Sequence, residues 1–152
     1  RRVLFRSELF AQGIQAKPYV IKPNKYELAT YFGVSQDCSN EEMISLAKTL
    51  LNEECRLVVV SMGKQGSIFL SHEGIYQAEA LHIQAHSSVG AGDAMVAAIA
   101  YALEQDTPME QLIALAVACS AGAVMTKGTQ PAEKAVVEQL MKQVTIKKLE
   151  EN

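Results

Sequence analysis

Leu57-Val58-Val59-Val60 is an unbroken apolar run, and three of its four residues are β-branched. A strand with one wet face would alternate, so a continuous run belongs to a strand buried on both faces of a sheet covered by helices. That requirement narrows the chain to an α/β architecture, and the flanking patterns agree. Tyr19-Val20-Ile21 reads as another short strand, ended by Lys22-Pro23-Asn24. Proline cannot continue a central ladder, and asparagine is a good helix N-cap. A helix follows over 25–32, with Gly33 just past its end. Ser39 with Glu42 forms a capping box that opens a second helix running to about Asn52. Ser67–Leu70 and Ile75–Ala78 read as a hairpin about His72-Glu73-Gly74, and Leu81–Gln84 as a further strand. Helices are predicted over about 92–104, 109–125 and 132–143, a last strand over 145–149, and a short helix over 8–16. Strands alternating with helices imply a largely parallel sheet that binds ligands at the carboxyl ends of its strands.

The 152 residues, 49% hydrophobic and 20% charged, suffice for one soluble domain with a real core. A net charge of −3 without any Lys/Arg block argues against nucleic acid and against an anionic membrane as partners. The longest uncharged stretch, Gln111–Thr126, is shorter than the roughly 18–20 apolar residues of a membrane span. Cys38, Cys55 and Cys119 are far apart and odd in number, which fits reduced thiols in a cytoplasm. Residues 1–7, Arg-Arg-Val-Leu-Phe-Arg-Ser, are basic and apolar without a period. One back-translation of Leu-Phe-Arg-Ser matches the end of a sequencing adapter, so the segment is expected to be a non-native leader.

Chemistry concentrates at Ser88-Val89-Gly90-Ala91-Gly92-Asp93, which runs straight into an Ala-rich helix. Gly90, Ala91 and Gly92 let the backbone come close to a ligand, and their N–H groups at a helix N-terminus make an anion site suited to phosphate. A carboxylate beside that anion would repel it. Asp93 therefore points to a base that takes a proton from a hydroxyl attacking a phosphoryl group, although an Asp in a first helical turn also serves as a plain cap.

Ser61-Met62-Gly63-Lys64-Gln65-Gly66 follows the buried strand, but a strand rather than a helix comes next, which argues against a dinucleotide fingerprint. It reads either as a glycine turn between strands or as a loop lying against a nucleotide. Asn24 and Glu27 read either as a capping box or as an amide and a carboxylate holding hydrated Mg²⁺ at a strand end. His82 and His86 are four apart in a segment that reads as extended, where such a spacing spans about 13 Å, too far for both to ligate one ion. The Ala-rich stretch 114–123 around Cys119 reads as close helix packing, or as a wall for a flat purine.

Lys22-Pro23-Asn24-Lys25-Tyr26-Glu27-Leu28, Val60-Ser61-Met62-Gly63-Lys64-Gln65-Gly66 and Ser88-Val89-Gly90-Ala91-Gly92-Asp93, in that order, resemble the ribokinase-like (PfkB) carbohydrate kinases. The likeness covers about Lys17 to Leu140. With Ala121-Gly122-Ala123-Val124 and Gly128-Thr129-Gln130-Pro131, it is nearest the branch acting on fructose 1-phosphate, then tagatose 6-phosphate and fructose 6-phosphate kinases. The resemblance implies a three-layer fold, with 8–152 as the C-terminal part of a single kinase domain whose N-terminal half is missing. It implies ATP and Mg²⁺ as cofactors, and a sugar phosphate as substrate. Asp93 would be the base and Gly90, Ala91 and Gly92 the anion hole. Ser61, Gly63, Lys64, Gln65 and Gly66 would line the ATP site, with Cys119 flanking adenine. Asn24 and Glu27 would hold Mg²⁺ through water. His86 stands before Ser87-Ser88 where a small polar or aliphatic residue is expected. The family's other half supplies a sugar-binding acid, a Gly-Gly-Asn segment and a β-sheet lid that often makes a homodimer. This chain alone is therefore expected to be weakly active or inactive. A nucleotide-binding fragment without catalysis remains the alternative.

Overall fold

A computed structural model describes residues 14–15, 18–84, 90–126 and 132–151. The expected leader at 1–7, most of the helix expected at 8–16, His86, Ser87-Ser88 and Gly128–Pro131 lie outside the described residues. The elements run β1 (Val20–Ile21), α1 (Lys25–Phe32), α2 (Asn40–Lys48), β2 (Leu57–Ser61), a 3-10 turn (Gly63–Gln65), β3 (Ser67–Ser71), β4 (Gly74–Ala78), α3 (Ala91–Glu104), α4 (Met109–Met125), α5 (Lys134–Met141) and β5 (Ile146–Glu151). The strands form one sheet in the order β1-β2-β3-β4-β5. By contacts the chain divides into two compact units, Arg1–Gln77 with Lys147–Asn152, and Ala78–Ile146.

In the first unit β1 pairs parallel with β2 (Val20↔Leu57, Ile21↔Val58), across a connection that holds both α1 and α2. β2 pairs antiparallel with β3, from Leu57↔Ser71 to Ser61↔Ser67. The sheet of this chain is thus mixed, where the alternation of elements had suggested a largely parallel one. Met62–Gly66 and His72-Glu73 are too short to carry a parallel crossover, so each turns the chain straight back. Val58 and Val60 pack with Ile21, Ile68, Leu70 and Ile75 beneath Leu28 of α1 and Met43 and Ala47 of α2. Leu57, Val59 and Phe69, of opposite parity, are equally inaccessible, as the continuous apolar run required. Each such side chain contributes roughly 1.5–3 kcal/mol.

The α1 boundaries follow from its end residues. Asn24 caps the start, and Gly33 (φ 68°) accepts the left-handed turn that lets Val34 N–H reach Ala29 O (3.0 Å). In α2 the Ser39 hydroxyl accepts the Glu42 N–H (3.1 Å), but the helix stops at Lys48 rather than near Asn52. Thr49 Oγ1 donates to Leu46 O, and Asn52 Oδ1 accepts the N–H groups of Glu54 and Cys55 (2.8 Å each). Those side chains offer the backbone a local alternative to the helix.

In the second unit the segment expected as a strand at Leu81–Gln84 pairs with no strand. Its alternation is real but serves another purpose: Leu81 and Ile83 pack against Ala118, Ala121 and Leu140, while His82 and Gln84 face solvent. α3 and α4 form a helical hairpin through Gln105–Pro108. Asp106 takes the left-handed conformation there (φ 52°), with Thr107 N–H on Ala102 O (2.9 Å) and its own N–H on Leu103 O (3.2 Å). α5 starts two residues later than expected and its end loosens into turns, Gln143 N–H bonding Leu140 O. Just before α5, the Ala132 methyl lies against the bare backbone of Gly122 in α4, 2.6 Å from where a Cβ there would stand.

Candidate functional site

The carboxyl ends of β1 and β2 lie side by side. Ser61 N–H donates to Pro23 O (3.0 Å), and Asn24 bridges to Ser61 in parallel register. Pro23 has no N–H to extend the ladder, so the chain leaves the sheet at Asn24 and enters α1. There Asn24 Oδ1 accepts the Glu27 N–H (2.7 Å) and Glu27 Oε1 accepts the Asn24 N–H (3.0 Å). Glu27 is nonetheless buried, and its Oε2 has no hydrogen-bond partner among the described residues. The capping box and the ion site are therefore compatible readings of one carboxylate, since capping occupies a single oxygen. A desolvated, unpartnered carboxylate oxygen beside a strand end fits a hard cation that keeps most of its waters. No group of three or more metal-ligating side chains exists among the described residues, and such an ion needs none. His82 is exposed and belongs to no such group.

Beyond Ser61 the backbone folds into a tight loop. Met62 N–H donates to Gly66 O (2.8 Å) and Gly66 N–H to Gly63 O (3.0 Å). Gly66 holds φ 88°, ψ −142°, a conformation essentially closed to side chains. Lys64 and Gln65 stand exposed on the outside of this turn. The first unit thus brings Asn24, Glu27, Ser61 and the Gly63–Gly66 loop to one end of its strands. The Pro23–Ser61 clamp that aligns them was not anticipated from the sequence, although a proline directly after a strand is its signal.

In the second unit Gly90 caps α3 in the left-handed conformation (φ 88°, ψ −8°), where a β-carbon would be strained. Ala94 N–H on Gly90 O (2.9 Å) is the first helical bond, so the N–H groups of Ala91, Gly92 and Asp93 precede any intrahelical acceptor. Asp93 is the third helical residue and exposed. The hairpin brings the second half of α4, with Cys119, back toward the end where α3 starts. Burial pushes the Cys119 thiol up, which keeps it protonated and suits a packing surface better than a nucleophile. Burial pushes the Cys55 thiol up to about 11, and it donates weakly to Leu57 O (3.7 Å).

The first unit thus carries a strand-end carboxylate and a glycine loop after a buried strand, and the second a Gly-Ala-Gly-Asp helix start, in an α/β protein. Residues 5–135 match the pfkB family of carbohydrate kinases, and the chain belongs to that family. It is 34% identical over 139 residues to a 1-phosphofructokinase of Haemophilus influenzae, covering 91% of this chain and 44% of that protein. A D-tagatose-1-phosphate kinase of Bacillus licheniformis is 39% identical over 80 residues, 53% of this chain and 26% of that one. Among solved structures, a candidate phosphofructokinase of Staphylococcus aureus superposes with a TM-score of 0.85 at 27% identity, over 99% of this chain and 48% of that chain. Phosphofructokinase-2 of Escherichia coli, solved with substrates and products, gives a TM-score of 0.82 over 94% and 47%, a likeness of fold at 23% identity. The chain spans about half the length of the Haemophilus influenzae, Staphylococcus aureus and Escherichia coli proteins, and its fold is ribokinase-like α/β. No helix among the described residues is long and apolar enough to cross a membrane.

Proposed function

We propose that the chain is the C-terminal, nucleotide-side part of a kinase that phosphorylates a sugar phosphate with ATP. Fructose 1-phosphate, giving fructose 1,6-bisphosphate, is the substrate the motif context favours. The carrying observation is Asp93, exposed in the first turn of α3 behind Gly90-Ala91-Gly92. A pure anion binder has no use for an acid at that place. In the reaction the sugar hydroxyl oxygen forms a bond to the γ-phosphorus, the bond from that phosphorus to ADP breaks, and the hydroxyl proton passes to Asp93. The backbone N–H groups of Gly90, Ala91 and Gly92 stabilise charge on the transferring group. Ser61, Gly63, Lys64, Gln65 and Gly66 bind the nucleotide, and the α4 surface at Cys119 flanks its base. Asn24 and Glu27 hold Mg²⁺ through water, Oε2 being the available oxygen. When bound, that ion neutralises phosphate charge. The whole protein is taken to be a cytoplasmic homodimer, joined through a lid outside this chain.

The test is turnover of the full-length protein with MgATP on fructose 1-phosphate, tagatose 6-phosphate and fructose 6-phosphate, beside Asp93→Asn. Preference for fructose 1-phosphate, lowered at least about 10²-fold by the substitution, is expected. Activity on another sugar keeps the mechanism and overturns the substrate. ATP binding without turnover on any sugar would instead favour a nucleotide-binding protein.

A further inference from the structure

We draw no further inference here: the strongest candidate, the outer edge of β1 at one end of the sheet, carries nothing, because nothing in the structure shows what covers it.

Discussion

Gly122 sits inside α4, where alanine would ordinarily add about 1 kcal/mol of helix stability. The structure reverses that expectation. A methyl group at 122 would stand 2.6 Å from the Ala132 methyl, with Leu140 and Val137 side-chain carbons at 3.7 and 3.9 Å behind it. Both methyls are fixed to backbone, so neither can rotate aside and the helix crossing itself must open. Overpacking of this kind costs about 1–3 kcal/mol. Set against the propensity gain of about 1 kcal/mol, Gly122→Ala should come out destabilising by up to about 2 kcal/mol. Urea unfolding followed by circular dichroism, on the parent, Gly122→Ala, Ala132→Gly and the double variant, gives a complete cycle. Removing the facing methyl should restore room, so the double variant should be more stable than additivity predicts by about 1–2 kcal/mol. A Gly122→Ala protein more stable than the parent, with no coupling to position 132, would refute the reasoning.

Glu27→Gln keeps an oxygen for the Asn24 N–H and removes the buried charge. The extra thermal stabilisation by MgATP over metal-free ATP should vanish while helix content is retained; an undiminished increment would remove Glu27 from the ion site. Asp106→Gly should stabilise by about 0.5–1 kcal/mol, because glycine adopts the left-handed position at the end of α3 without the β-carbon penalty. A lower urea midpoint would show that the Asp106 side chain matters more than its backbone. The unfolded chain releases the Cys55 proton near its ordinary 9.0, whereas the folded protein holds it to about 11. The unfolded state therefore binds fewer protons in that window, and stability falls as pH rises through it. Cys55→Ala should flatten the fall between about pH 9 and about pH 11 in urea midpoints, and equal slopes would assign it elsewhere.

The helix ends that were legible are those written by single residues. Asn24 and Gly33 each impose a backbone conformation or supply a local bond, so α1 could be placed to the residue, while α3 begins at Ala91, one residue before the expected start, because Gly90 takes the left-handed cap. Where two local signals compete, the sequence was less informative. Asn52 suits a helix interior poorly and an Asx turn well, and only the structure shows the turn winning. The period of two at Leu81–Gln84 states which side chains are covered but not by what, and the cover is helical. Strand direction followed from connection length, and the short Met62–Gly66 link between two strands already pointed to an antiparallel pair that the overall alternation of strands and helices obscured. At the candidate site the residue types were visible from the start. The split of Glu27 into a capping oxygen and an unpartnered one was not, because burial of one atom is decided by packing from β1, β2 and α1 together.

That split has a thermodynamic consequence. The fold without ligand bears the desolvation of Glu27 Oε2, and whatever engages that oxygen recovers it. Relief of a pre-existing frustration thus forms part of the binding free energy. A donor placed nearby by substitution, satisfying Oε2 from within the protein, would raise the melting temperature and weaken the site in the same step. If Oε2 faces the proposed ion, stability and affinity are opposed at this one atom, and selection for tighter folding would erode ion binding.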